Sequence, residues 1–163
     1  MVTPAATPDI RLAAMDLPPI LSSASIGRLP PAAIPDLIAA AHTDPDPANL
    51  YMRMFYLLQA LGQQAFALDM QAKALERRCL YRIAGAPDPA IRLLALLGPG
   101  DMTDNTPLEF VVDNSDIRLD LLFLSPHQPL PEVIPDHDVA IVVVSESDKN
   151  RALLAHLETL LAA

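Results

Sequence analysis

At 163 residues the chain suits one medium domain or two small ones. Apolar residues make up 52% and mean hydropathy is +0.28, which excludes a chain that is disordered throughout. Eleven Lys and Arg against 20 Asp and Glu give a net charge of −9, a balance that argues against nucleic-acid and anionic-membrane binding.

Proline divides the chain. Of 17 prolines, none falls in residues 48–86, so a helical unit is expected between Asp46-Pro47 and Pro87-Asp88-Pro89. Residues 1–30 read as an extended arm in which Ile10, Leu12, Leu17, Ile20 and Leu21 could pack as a strap. Pro35-Asp36 opens a short helix through His42. Asp46 is the expected N-cap of the next helix, whose apolar face is Leu50, Met54, Leu57, Leu58 and Leu61. Gly62 ends it, and a second helix is expected from about Gln64 to Ile83, folding back as an antiparallel hairpin.

From Ile91 the period changes. Leu93–Leu97 reads as a strand buried on both faces, stopped by Gly98-Pro99-Gly100-Asp101. Thr106-Pro107-Leu108-Glu109 is a capping-box pattern for a short helix through about Val112. Ile117 to Phe123 alternates as a strand, and Pro126 to His137 is an extended crossing loop. Val139 to Val144 is the strongest strand signal, β-branched and apolar on both faces. Ser145 to Asp148 would cap a last helix with the stripe Leu153, Leu154, Leu157, Leu160 and Leu161. This order implies a small, mostly parallel three-stranded sheet.

Candidate sites follow from that placement. Gly98, Gly100 and Asp101 join a strand to a helix, where open α/β sheets bind ligands. Amides near Gly100 could hold an anion or carboxylate, although Pro99 removes a donor, Asp101 repels phosphate, and a simple tight turn explains the same residues. Ser145, Glu146, Ser147 and Asp148 would share that edge with Asp101 and Asp104, as oxygen ligands for a divalent cation or as helix caps. Arg77, Arg78 and Arg82 could meet an acidic partner or form a solvated helix end. The four histidines are scattered. Cys79 is the only cysteine, which excludes an internal disulfide and points to a reducing, cytoplasmic setting. It lies near the three arginines, which could lower its pKa, or it is a buried inert thiol. Residues Met1 to Met15 show no signal peptide, and no apolar run approaches the ~20 residues of a membrane span. No catalytic constellation, metal site or cofactor motif stands out.

Tyr51, Gly62, Ala67 and Ala74-Leu75 carry a resemblance to a tetratricopeptide repeat, of which one unit is visible. The stretch Leu93 to Asp101, with Asn105 to Phe110, Asp120-Leu121-Leu122 and Asp136 to Ala140, resembles the Rossmann-like half-domain before the catalytic region of ATP-grasp proteins. The form is one associated with bacterial proteins in which helical repeats lead into that region. The resemblance implies that ATP chemistry lies outside these residues, the chain being either the N-terminal part of such a protein, with a missing C-terminal ATP-grasp domain, or a standalone relative.

The expectation is an α/β (α+β-like) chain: an extended Pro-rich arm with a short helix (1–46), a tetratricopeptide-like hairpin (47–86) and a Rossmann-like β-α-β-β-α unit (87–163). Its expected role is a non-catalytic scaffold and substrate- or partner-binding region, with a protein partner or a second copy. The alternative is a standalone interaction module using the hairpin. A third reading is a small enzyme or nucleotide binder at Gly98–Asp101.

Overall fold

The computed structural model describes residues 15–17, 33–83, 88–128, 131 and 134–162. The rest of the expected arm, with Ile10, Leu12, Ile20 and Leu21, lies outside the described residues. In chain order the elements are β1 (Met15–Leu17), α1 (Ala33–Thr43), α2 (Ala48–Ala60), α3 (Gln64–Leu75), β2 (Leu80–Ile83), β3 (Ile91–Leu97), α4 (Leu108–Val111), β4 (Ile117–Phe123), β5 (Val139–Val142) and α5 (Arg151–Leu161).

The hairpin of α2 and α3 turns as its glycine dictates. Gly62 has φ +71; its N–H donates to Gln59 O at 3.0 Å and the N–H of Gln63 donates to Leu58 O at 2.8 Å. These are the two bonds of a Schellman motif, which needs a left-handed residue at the position after the cap. Asp46 is not the N-cap of α2. Pro47 occupies that place without a side-chain cap, and the Asp46 carboxylate instead takes Arg78 Nη2 at 2.5 Å. Burial on α2 goes beyond the expected face: Met52, Phe55 and Tyr56 are buried along with Met54, Leu57 and Leu58, while Leu61 is exposed. The helix is enclosed because α1, α3 and β1 all pack against it.

The second helix stops at Leu75, eight residues short of the expected Ile83. The orphan carbonyl of Ala74 accepts from the N–H of Arg77 and of Arg78 and from the Tyr81 hydroxyl, so a tertiary contact closes the helix where no glycine or proline does. Residues 80–83 then form β2.

The sheet has five strands in the order β1-β2-β4-β3-β5 and is mixed, so the three-stranded, mostly parallel sheet is corrected. β3 pairs parallel with β4 and with β5, giving the expected parallel trio, while β2 runs antiparallel to β4 and parallel to β1. Helices cover both faces. One face of the sheet, with Tyr81, Ala95, Leu97, Leu119, Leu121 and Phe123, packs on the hairpin. The other, with Leu94, Leu96 and Leu122, packs on Leu153 and Leu157 of α5, each contributing roughly 1.5–3 kcal/mol by burial. The stripe of α5 is therefore covered by the chain's own sheet, except for Leu161, which is exposed.

β5 is an edge strand rather than one buried on both faces. Val139 and Ile141 are 49% and 41% exposed, and Val143 and Val144, just past the strand, are the buried residues of this run.

The end of the second face that α5 leaves uncovered is ionic. Asp120, only 2% exposed, accepts from Arg82 Nε at 2.7 Å across the β2–β4 pair, with Arg118 Nε at 3.5 Å. Arg92, on the adjoining strand, holds Asp138 at 2.6 Å and also pairs with Asp136.

Candidate functional site at the carboxyl ends of β3 and β5

With β4 on one side of β3 and β5 on the other, successive connections leave the sheet in opposite directions. Such a switch point is where open α/β sheets form a ligand crevice. The structure brings together there most of the residues singled out in the sequence. The loop after β3 carries Gly98, Gly100 and Asp101, and the segment after β5 carries Ser145 and Glu146. Ser145 donates its N–H to Asp104 O at 2.8 Å and its hydroxyl to Thr103 O at 2.7 Å, and Asn105 bridges to Val144. Glu146 is exposed beside Asp148, Arg151 and Glu158 in a shallow groove along the start of α5. Neither serine caps α5: the cap position is Asn150, whose own amide donates to Ser145 O at 2.9 Å.

The amides of the β3 loop are already spoken for. Gly98 N donates to Asn105 Oδ1 at 2.9 Å while Asn105 Nδ2 donates back to Gly98 O at 2.9 Å. Gly100 N donates to Gln71 Oε1 at 2.9 Å and Gln71 Nε2 returns to Gly100 O at 3.0 Å. Each side-chain amide thus imitates a strand neighbour for one glycine. Asp101 N goes to Asp104 Oδ2 at 3.0 Å, and Thr103 N to Asp101 Oδ1 at 2.7 Å. The Thr103 hydroxyl and amide, aided by Gln64, hold the Asp101 carboxyl below the usual range. Space requires glycine at Gly100, where an added Cβ would lie 2.7 Å from Asp104 Cβ; at Gly98 it would meet only the tip of the Leu153 side chain, 2.5 Å from Cδ2.

The three arginines do not form one patch. Arg77 is exposed in the turn after α3, Arg78 is tied to Asp46 of the segment before α2, and Arg82 lies on β2 against Asp120. Their expected grouping at a helix end fails because the helix ends before them. Cys79 is partly buried against the α5 side of the core. His137 and His156 each contact a backbone carbonyl, of Pro135 and Gln128 respectively. Among the described residues no group of three or more His, Cys, Asp or Glu is placed to hold a metal; Asp104 pairs with Lys149 at 2.7 Å.

Beside this loop lies a cleft that the sequence reading missed. Its wall is Phe55 and Tyr56 of α2, Gln71 of α3, Phe123 of β4, and Asp101, Thr106 and Glu109 around the β3–α4 connection. Tyr56 donates its hydroxyl to the Glu109 carboxylate. Burial pushes the Glu109 carboxyl up, opposed by its own backbone N–H and by Tyr56. Burial likewise drives the Tyr56 hydroxyl far above its ordinary value, with the Glu109 charge adding to it. Gln71 had a sequence signal, being polar within the stripe Ala67, Gln71, Ala74; Tyr56 and Glu109 had none, because 53 positions separate them.

No helix among the described residues is long and apolar enough to cross a membrane. Compared with known proteins, the chain matches no family model, no curated protein and no solved structure.

Proposed function

We propose that the chain is a non-catalytic, partner-binding scaffold of the kind that precedes the catalytic core in ATP-grasp ligase-type proteins, acting in a cytoplasmic setting. The observation that carries this reading is the edge at β5. Among the described residues that strand pairs with β3 on one side only, and Val139 and Ile141 stand half-exposed along it. An open edge offers a row of N–H and C=O groups to a strand from another polypeptide, the usual geometry of sheet extension. The internal bonding of the Gly98–Asp101 amides supports a role without phosphate chemistry, since a phosphate cradle needs donors that point at the ligand.

A second reading, an interaction module using the tetratricopeptide-like hairpin, is favoured by α3. That helix buries only Ala67, Gln71 and Ala74, leaving Phe66 66% exposed beside the exposed Leu61. Sedimentation velocity across a concentration series separates the two, with a second copy standing in for the partner. The wild type is expected to rise above the 17.6 kDa monomer mass, more so in added salt because a charge of −9 opposes self-association. Ile141→Lys should hold the chain at monomer mass and Phe66→Asp should not. The reverse pattern puts the hairpin in place of the edge, and a monomeric wild type throughout removes the support for both.

A further inference from the structure

Resting on the sheet-edge reading, we propose that β5 takes a strand from a different polypeptide, apolar at alternate positions and carrying lysine or arginine at the end that meets Glu146. Among the described residues β5 pairs with β3 alone. The N–H of Val143 donates to Leu96 O at 3.1 Å and that of Ser145 to Asp104 O at 2.8 Å, so these residues turn their backbone groups inward. By alternation Ala140, Val142 and Val144 turn theirs outward, each with one donor and one acceptor. The side chains add an apolar strip. Leu93 pairs with Val139 and Ala95 with Ile141, which sets all four on the side of the sheet that packs on the hairpin. That side is uncovered at this margin, where Ile91 and Ile141 are 41% exposed and Val139 49%. An added strand with apolar residues at alternate positions would cover it.

Charge decides which strand fits. Beyond the carboxyl end of β5, Glu146, Asp148 and Glu158 line a groove in which Arg151 is the one basic residue. Asp148 pairs with that arginine, and the neighbouring Lys149 is taken by Asp104. Glu146 and Glu158 are exposed and have no ion-pair partner among the described residues. This end therefore keeps a surplus of negative charge, in a chain of net charge −9. At the amino end Asp136 and Asp138 share Arg92. A second copy supplies no surplus base to Glu146. Antiparallel pairing centred on Val142 would bring Asp136 and Asp138 of one copy beside Asp148 and Glu146 of the other, and like charges directly opposite destabilise a strand pair. A strand ending in lysine or arginine meets the same groove with opposite charge.

The test titrates the full chain with a nine-residue peptide that has lysine at both ends, valine at each even position and threonine between. The same peptide ended in glutamate is the comparison. Its length matches Asp138 to Glu146, and the symmetrical pattern sets valines opposite Val139, Ile141 and Val143 in either strand direction. Binding is read from hydrogen exchange at the amides of Ala140, Val142 and Val144. The lysine peptide is expected to bind saturably, to slow exchange at those amides, and to weaken with added salt, the opposite of self-association. The glutamate peptide should bind about tenfold more weakly, and Glu146→Lys should narrow that gap. Ile141→Lys should abolish binding of both. Equal affinities for the two peptides would overturn the basic partner and leave the open edge standing. Binding of neither, by a chain whose self-association Ile141→Lys abolishes, would do the same, because a second copy is then the occupant. Binding of neither by a monomeric chain removes both readings. So do amides already protected in the free monomer, since the chain's own residues then fill the edge.

Discussion

Gln71 holds the β3 loop against the hairpin, and removing it shows what that clamp contributes. Its side chain is 3% exposed, and Gly100, which it bonds through both N–H and C=O, is buried as well. Gln71→Ala deletes both partners and leaves a donor and an acceptor without protein bonds. Each orphaned buried group costs about 1–3 kcal/mol. The neighbouring cleft has room for one or two waters that can re-solvate part of the loss, so a net cost of about 2–3 kcal/mol is expected. At about 2–4 °C per kcal/mol for a chain of this size, the melting temperature should fall by roughly 4–12 °C. Thermal and urea unfolding measure it. Gln64→Ala, which removes only an exposed partner of Asp101, is the control and should cost no more than about 0.5 kcal/mol. Gln71→Glu should lose most at neutral pH, where its carboxylate cannot donate to Gly100 O, and recover on acidification as it gains a proton. A Gln71→Ala chain as stable as Gln64→Ala would refute the reasoning, since it would mean that Gly100 is satisfied by other means.

Ala67→Leu should overpack the α2–α3 contact by roughly 1–3 kcal/mol, because Ala67 is fully buried there; an unchanged melting temperature would mean that the helices do not meet at that position. Asp120→Asn should cost about 2–3 kcal/mol in urea unfolding, below the full penalty for a stranded buried charge because Arg82 and Arg118 can turn toward water. A double-mutant cycle with Arg82→Met checks that the loss belongs to the pair. Arg92 holds the Asp138 carboxyl down to about 2, from an ordinary 3.8. The stability this pair adds is therefore present above about pH 4 and lost as pH falls through 2, so wild-type and Asp138→Asn urea midpoints should differ above that window and converge below it. Calorimetry with Mg-ATP should register no binding to this chain, and micromolar affinity would contradict the scaffold reading.

Local pattern alone determined a large part of this fold. The apolar run at 91–97, the alternation at 117–123 and the leucine stripe of the last helix each satisfy their own period, and they became β3, β4 and α5. Gly62 acts through its own φ, so the hairpin turn was legible from one residue and its neighbours. Tertiary structure decided what depended on distant partners. Leu80-Tyr81-Arg82-Ile83 is compatible with a helix or a strand; it became β2 because β4, some 40 residues on, supplied antiparallel hydrogen bonds and because Tyr81 closed the end of α3. The apolar run after Asp138 fixed a strand but not its place in the sheet, so its exposure at the edge could not be read from composition. The loop after β3 lies at the carboxyl ends of β3 and β5, and the fate of its amides rested on Gln71, 29 residues from Gly100, and on Asn105. The Tyr56–Glu109 pair likewise exists only once α2 and α4 are packed together. Periodicity reports which face of an element is buried, and it carries no information about which polar groups meet across that buried face.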